Sequence, residues 1–211
     1  MKRSIAENIV TSSVIACAIL AFSTSACFAA TVYNNLGIGD SYGSTGSTFG
    51  FGGSQLAYSF TAPTSFFLDS IEVAVRGDAN GTTIGVHLAS NLSGGLEPDS
   101  LLESSSVYTF GSPALRAAAF SGSTPVIASG TYWVLLECQS GCGTNPTWFD
   151  NNTSVLSDQA TRASSGGSWL VLNSATQGAL RINAVPLPPA FWLFGSALLG
   201  LAGMGRRRSL N

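Results

Sequence analysis

The 211-residue chain ends in an apolar run that leads directly into three arginines. The 21 residues 185–205 carry no charge, and Arg206, Arg207 and Arg208 follow them. As a helix, this run would be about 31 Å long, which matches the roughly 30 Å hydrocarbon core of a bilayer. Three arginines at one end favour the cytoplasmic side. The pattern predicts a transmembrane helix over about 190–205 with the rest of the chain outside. The alternative is a buried terminal helix of a soluble domain.

The N-terminal segment has the three parts of a secretory signal. Lys2 and Arg3 form the charged start, an apolar run covers about 14–22, and small residues lead to Ala29 and Ala30. The apolar run is too short for a stable membrane span. We therefore expect a signal peptide over 1–30, passage through the export machinery, and cleavage by signal peptidase after Ala29 or Ala30. A lipoprotein signal and a buried N-terminal helix are the alternatives.

The charge of the segment between these two ends is strongly acidic. Residues 31–184 contain four arginines and ten Asp or Glu residues, hence a net charge of about −6. A nucleic-acid-binding protein would need a basic face to neutralise phosphates, so this class is excluded. The expected partners are cations, polysaccharide or other surface proteins.

The same segment shows the hydrophobic alternation of β-strands. Apolar residues alternate within Phe66–Arg76 and again within 84–88, where His87 falls on the opposite face. The segment 131–138 is almost wholly apolar, which predicts a central strand covered on both faces. Further strands are predicted at 55–61, 107–110, 125–128, 147–150, 168–172 and 179–184.

The segment 114–120 is predicted as the single short helix. The many strands, separated by Gly- and Ser-rich turns, predict an all-β fold. We expect an antiparallel, jelly-roll-like β-sandwich over 31–184, flanked by the signal peptide and the transmembrane helix.

Residues 39–43 match the G-x-S-x-G pattern that places a nucleophilic serine on a turn before a helix. Ser41 would be the nucleophile, and His87, the only histidine, could serve as its base. The Gly- and Ser-rich stretch that follows cannot start a stable helix. We therefore favour a flexible surface loop and predict no catalytic residues.

Cys138 and Cys142 are the cysteines that remain after signal cleavage. In an oxidising compartment they are predicted to form a disulfide across a tight turn. A zinc site would need further Cys or His ligands, and the sequence offers one histidine. We expect no metal and no cofactor.

Trp148, Asp150 and Asn151 combine an aromatic face with a carboxylate and an amide. Such a set can bind a sugar, because the ring stacks on CH groups and the polar groups bond hydroxyls. More often such residues are core packing followed by an Asx turn, so ligand binding is the alternative.

The C-terminal segment resembles the PEP-CTERM sorting signal, in which a Pro-containing motif precedes an apolar helix and an Arg cluster. Proteins with that signal are substrates of exosortase, a membrane-embedded processing enzyme of Gram-negative bacteria. This chain has Leu187 where the name-giving motif has Glu. The resemblance covers 185–208 and implies that the inner membrane holds the tail as a transient anchor. Its motif residues are Val185, Pro186, Leu187, Pro188, Pro189, Ala190, Arg206, Arg207 and Arg208.

Residues 31–184 are similar to the choice-of-anchor R domain of surface proteins. The matching segments are Gln55–Thr61, the run 68–73, the tripeptide 86–88 and the run 129–136. The resemblance implies a sandwich fold and no established catalytic activity.

Together these features predict an exported protein without enzymatic activity. After a membrane-anchored precursor stage with an extracytoplasmic domain, it would reach the cell surface or extracellular matrix. Its role would be structural or adhesive, associated with exopolysaccharide or biofilm. The alternative is a carbohydrate-binding module or a weak secreted hydrolase on the same sandwich.

Overall fold

The computed structural model describes residues 29–143 and 146–185, which belong to one compact unit, Ala29–Val185. The predicted transmembrane helix, and the predicted signal peptide apart from residues 29 and 30, lie outside the described residues. Within the described ranges we find no helix with the length and hydropathy that a membrane span requires.

The described strands form two antiparallel sheets, so the predicted all-β sandwich class is confirmed. Sheet A consists of β1 (Ala30–Asn34), β2 (Gly46–Thr48), β4 (Phe66–Arg76), β7 (Ala114–Ala119), β8 (Pro125–Val126), β10 (Thr147–Phe149) and β13 (Leu180–Ala184). Sheet B consists of β3 (Gln55–Thr61), β5 (Thr82–Asn91), β6 (Pro98–Thr109), β9 (Thr131–Ser140), β11 (Leu156–Arg162) and β12 (Leu170–Thr176). Short 3-10 turns lie at Ile38–Asp40 and Phe51–Gly53.

β4 is the centre of sheet A. One of its edges pairs with β13 and then with β10, and its other edge pairs with β7 and β8. β1 extends the sheet beyond β13, and β2 extends it beyond β10. Sheet B has the order β12-β11-β3-β9-β5-β6.

The main core lies between the sheets and follows the alternation of the sequence. Ile71 and Val73 of β4 are fully buried in it, together with Ile84 and Val86 of β5. Every second side chain of these strands therefore points into the core, as the period of a strand requires.

β9 is buried on both faces, as its apolar sequence predicts. Val134 and Leu136 join the main core. Trp133 and Leu135 point the other way and form a second cluster on the outer face of sheet B, where Trp169 packs against them. A strand in the middle of a sheet with apolar groups on both faces explains the unbroken apolar run.

The predicted helix at 114–120 is wrong, because residues 114–119 form the strand β7. Its residues pair with Ser70–Val75 of β4, and Ala118 is fully buried in the main core. Alanine favours helices, but its propensity is weak compared with the gain from a hydrogen-bonded, buried strand. Tertiary pairing therefore overrides the local preference.

Candidate functional site

The predicted sorting motif lies outside the described residues except for Val185. The backbone N–H of Val185 donates to the carbonyl of Phe67 at 2.9 Å, which extends the sheet pairing by one residue beyond β13.

The disulfide between Cys138 and Cys142 is confirmed, with Cα atoms 6.0 Å apart. It closes the turn that follows β9, where Gly141 has a φ of +70°. A Cβ atom at Gly141 would lie 2.1 Å from the carbonyl oxygen of Gly81, so the turn requires glycine there. No group of three or more His, Cys, Asp or Glu side chains in the described part of the chain could hold a metal ion.

Ser41 and His87 belong to separate contact networks. The Ser41 hydroxyl accepts a hydrogen bond from the Asn152 amide at 2.8 Å. His87 contacts residues of sheet B instead. The chain after Ser41 leads to strand β2 and not to a helix, and neighbouring Asp40 forms a salt bridge with Arg181 at 2.7 Å. The G-x-S-x-G segment is thus a surface loop tied to the sandwich, without the elbow geometry of a hydrolase.

Trp148 is a core residue and cannot act as a sugar platform. Its side chain is fully buried, its indole N–H donates to the carbonyl of Ala179 at 3.1 Å, and its ring packs edge-on against Tyr58. A Cβ atom at Gly178 would lie 2.5 Å from the indole ring. The ring therefore offers no face to a ligand at the surface, which confirms the core-packing prediction for Trp148 and contradicts the stacking alternative.

Asn151 forms the predicted Asx turn. Its side-chain oxygen accepts from the backbone N–H groups of Thr153 and Val155. Its amide nitrogen donates to the carbonyls of Val155 and Gln177. Both ends of this side chain are therefore committed to the turn.

Asp150 is the member of the predicted set with solvent access. It is half-buried, and its carboxylate accepts from the Thr45 hydroxyl at 2.9 Å. A ligand-binding role for Asp150 stays a prediction.

Sheet B carries a row of polar side chains across five neighbouring strands. Register pairing places Gln55 opposite Glu137 and opposite Arg162, and His87 opposite Ser104. We call this row, together with the tryptophan that covers its end, the polar ladder: Ser104, His87, Glu137, Gln55, Arg162 and Trp169.

The members of the polar ladder contact one another in sequence. Nδ1 of His87 lies 2.8 Å from the Ser104 hydroxyl, and Nε2 lies 3.2 Å from Oε1 of Glu137. The Gln55 amide donates to Glu137 and accepts from Nε of Arg162. The Arg162 guanidinium lies 4.3 Å from the Trp169 ring centroid, a cation–π geometry. The ladder thus links β6, β5, β9, β3 and β11 through side chains.

Gly85 makes room for the polar ladder. It is the register partner of Glu137 on β5. A Cβ atom there would lie 2.7 Å from Nε2 of His87 and 3.0 Å from Cγ of Glu137. The missing side chain lets the imidazole lie over the strand beside Glu137, so Gly85 is a packing requirement of the ladder.

Burial controls the charge of His87. The residue is 5% exposed, and burial lowers its pKa below the ordinary 6.5, although the charge of Glu137 opposes this shift. Nε2 is close to Glu137, but it has no well-aligned hydrogen bond to any residue that the structure describes. The imidazole is therefore neutral at neutral pH.

We expect His87 to make the fold less stable as the pH falls. A histidine whose folded pKa is depressed binds its proton more readily in the unfolded chain, so stability is lost as the pH drops through about 6.5. Glu137 is the charged side chain that contacts the imidazole. Urea unfolding between pH 7.5 and 5 should show a steeper loss for the wild type than for His87→Gln. Equal slopes would contradict the depressed pKa.

Ser104, His87 and Glu137 stand in the order of a nucleophile, a base and an orienting acid. The imidazole can accept a proton from the Ser104 hydroxyl, while the carboxylate can stabilise the resulting cation. A hydrolase also needs donors aimed at the developing oxyanion. The pairing of β5 with β6 and β9 brings these three residues together. No local sequence motif predicts the arrangement.

No protein-family model matches the chain, and no curated protein is significantly similar to it. The features of the chain that bear on its function are the two terminal sequence segments, the disulfide and the side-chain geometry of the sandwich.

Proposed function

We propose that this chain is an exported, non-enzymatic protein of the cell surface or extracellular matrix of a Gram-negative bacterium. Exosortase would process its C-terminal tail, and the sandwich would have a structural or adhesive role in exopolysaccharide or biofilm. The observation that carries the proposal is the order of the tail: a proline-rich motif, an apolar run and three arginines. The Cys138–Cys142 disulfide supports it, because disulfides persist in oxidising compartments.

The same proposal includes two statements about residues 31–184. They form a choice-of-anchor R-like domain, and the strands of their sandwich have a jelly-roll-like arrangement. The acidic charge of residues 31–184 supports contacts with polysaccharide or cations.

Deletion of residues 185–211 tests the sorting role. We expect the truncated chain to be secreted without retention in the cell envelope, because it lacks both the apolar run and the arginines. Cell fractionation in a host that carries exosortase measures the location. Deletion of 209–211, which leaves the arginines in place, is the matched control. If the truncated chain stays in the envelope as the wild type does, the sorting proposal is wrong.

A weak hydrolase is the second candidate, and the Ser104–His87–Glu137 contacts favour it. Turnover of p-nitrophenyl acetate by the purified chain, read from nitrophenolate release, tests it. On our main proposal the rate stays at that of buffer. A rate above buffer that Ser104→Ala abolishes, and that Ser106→Ala on the same strand preserves, would overturn the non-enzymatic assignment.

A further inference from the structure

A cavity of about 440 Å³ opens where β1, β3, β11 and β12 meet. This volume is within the 300–1,000 Å³ range of small-molecule sites, toward its small end. The cavity is separate from the polar ladder, and none of the site residues predicted from the sequence lines it. Its lining includes Tyr33, Thr61, Leu156, Ser157, Asp158 and Ser174.

Hydroxyl groups and one carboxylate supply the polar surface of the cavity. Asp158 is half-buried, and its backbone N–H donates to the Ser59 hydroxyl at 3.1 Å, which holds the residue at the wall. Among residues 29–143 and 146–185, its carboxylate oxygens have no hydrogen-bond or salt-bridge partner. They are free to accept hydrogen bonds from a ligand, and the neighbouring hydroxyls can both donate and accept.

A β-bulge shapes the wall opposite Asp158. Ser157 pairs with Ala175 and Gln159 pairs with Leu172, so two residues of β12 face the single residue Asp158. One of the two, Ser174, has a φ of +58°, a left-handed conformation that is rare for residues other than glycine. The bulge breaks the regular pairing and places the Ser174 residue in the cavity lining.

Aromatic and apolar surface completes the cavity. The rings of Tyr33 and Phe60 lie 5.4 Å apart, and the Tyr33 hydroxyl donates to the buried Gln177 at 2.7 Å, which fixes the ring. Leu156 is 58% exposed at the rim. Apolar faces beside a set of hydroxyls match a sugar ring, which has CH faces and hydroxyl edges.

From this geometry we infer that the cavity binds a neutral saccharide, the terminal unit of a polysaccharide chain. None of the described lining residues is Lys or Arg, and Asp158 would repel a carboxylate or sulfate. The net charge of about −6 over residues 31–184 acts in the same direction. The inference rests on the adhesive role proposed above, for which it supplies the ligand class and the binding residues.

Calorimetric titration of the full-length chain in detergent tests the inference. The probes are hexasaccharides of glucose, mannose and galactose, and a hexasaccharide of galacturonic acid. We expect at least one neutral probe to bind more tightly than the acidic one. Asp158→Asn should weaken that binding about tenfold, because it removes a charged acceptor. Ser174→Gly should also weaken it, and glycine tolerates the positive φ, so the fold is kept. Asp99→Asn, an exposed carboxylate of β6, is the matched control.

The inference is overturned if none of the neutral probes binds, if the acidic probe binds as tightly, or if Asp158→Asn and Ser174→Gly bind as the wild type does. Its failure can be distinguished from failure of the sorting proposal. If tail deletion abolishes envelope retention but no saccharide binds, only the cavity inference is wrong. Saccharide binding that depends on Asp158, with unchanged retention on tail deletion, would remove the sorting proposal alone.

Discussion

Replacement of Trp148 by alanine is expected to lower the free energy of unfolding by about 3–5 kcal/mol. The side chain is fully buried between β10 and the inner face of sheet B, where its ring meets Tyr58 at a centroid distance of 4.9 Å. Alanine would leave a cavity and would also leave the carbonyl of Ala179 without its indole donor. Equilibrium unfolding in urea, with the disulfide intact, measures the change.

Phe51→Ala is the matched control, because Phe51 is an aromatic residue that is 77% exposed. Its cost should stay within about 0.5 kcal/mol, the usual range for surface substitutions. A Trp148→Ala cost as small as that of Phe51→Ala would contradict the buried position of Trp148 and favour the ligand-binding alternative.

Gln177→Leu is expected to cost about 3 kcal/mol. Gln177 is fully buried, and its side-chain oxygen accepts from the Tyr33 hydroxyl and the Asn35 amide, both at 2.7 Å. Its amide donates to the carbonyl of Ser59 at 2.7 Å. Leucine has a similar size but no polar atoms, so three partners lose a hydrogen bond inside the protein. Each buried group left without a partner costs about 1–3 kcal/mol.

Gln139→Leu serves as the control for Gln177→Leu, since Gln139 is an exposed glutamine of β9. Its urea midpoint should stay close to that of the wild type. Thermal unfolding of both variants gives an independent comparison. If the two substitutions lower the free energy of unfolding equally, the buried hydrogen bonds of Gln177 do not stabilise the link between β1 of sheet A and β3 of sheet B.

The strands with clear alternation were predictable from the sequence, and 55–61 and 66–76 coincide with β3 and β4. Strand β11 was missed because its sequence, Leu-Ser-Asp-Gln-Ala-Thr-Arg, has no apolar alternation. It is a strand because β3 and β12 pair with it on both edges. Pairing partners that are distant in sequence decide such segments, and a single sequence does not reveal them.

The candidate sites were less predictable than the fold, for the same reason. The sequence from Trp148 to Asn151 is compatible with a core strand and with a binding surface. Only the contacts of Gly178 and Ala179 with the indole ring distinguish the two. Residues in direct contact in the polar ladder lie up to 107 positions apart in the sequence. The alternation in β5 did place His87 on the face opposite its apolar neighbours, and Glu137 lies on the same outer face. The sequence does not reveal the register of β5 and β9, which brings the two side chains together.

The pairing of β1 with β13 has a consequence for engineering this domain. Ala30 and Ala184 are register partners, so the start of the first strand and the end of the last strand lie side by side at the border of sheet A. A few residues would join them into a continuous chain, and new termini could be opened at the exposed 163–166 turn between β11 and β12. The topology is thus suited to circular permutation, and to insertion as a cassette into a surface loop of another protein.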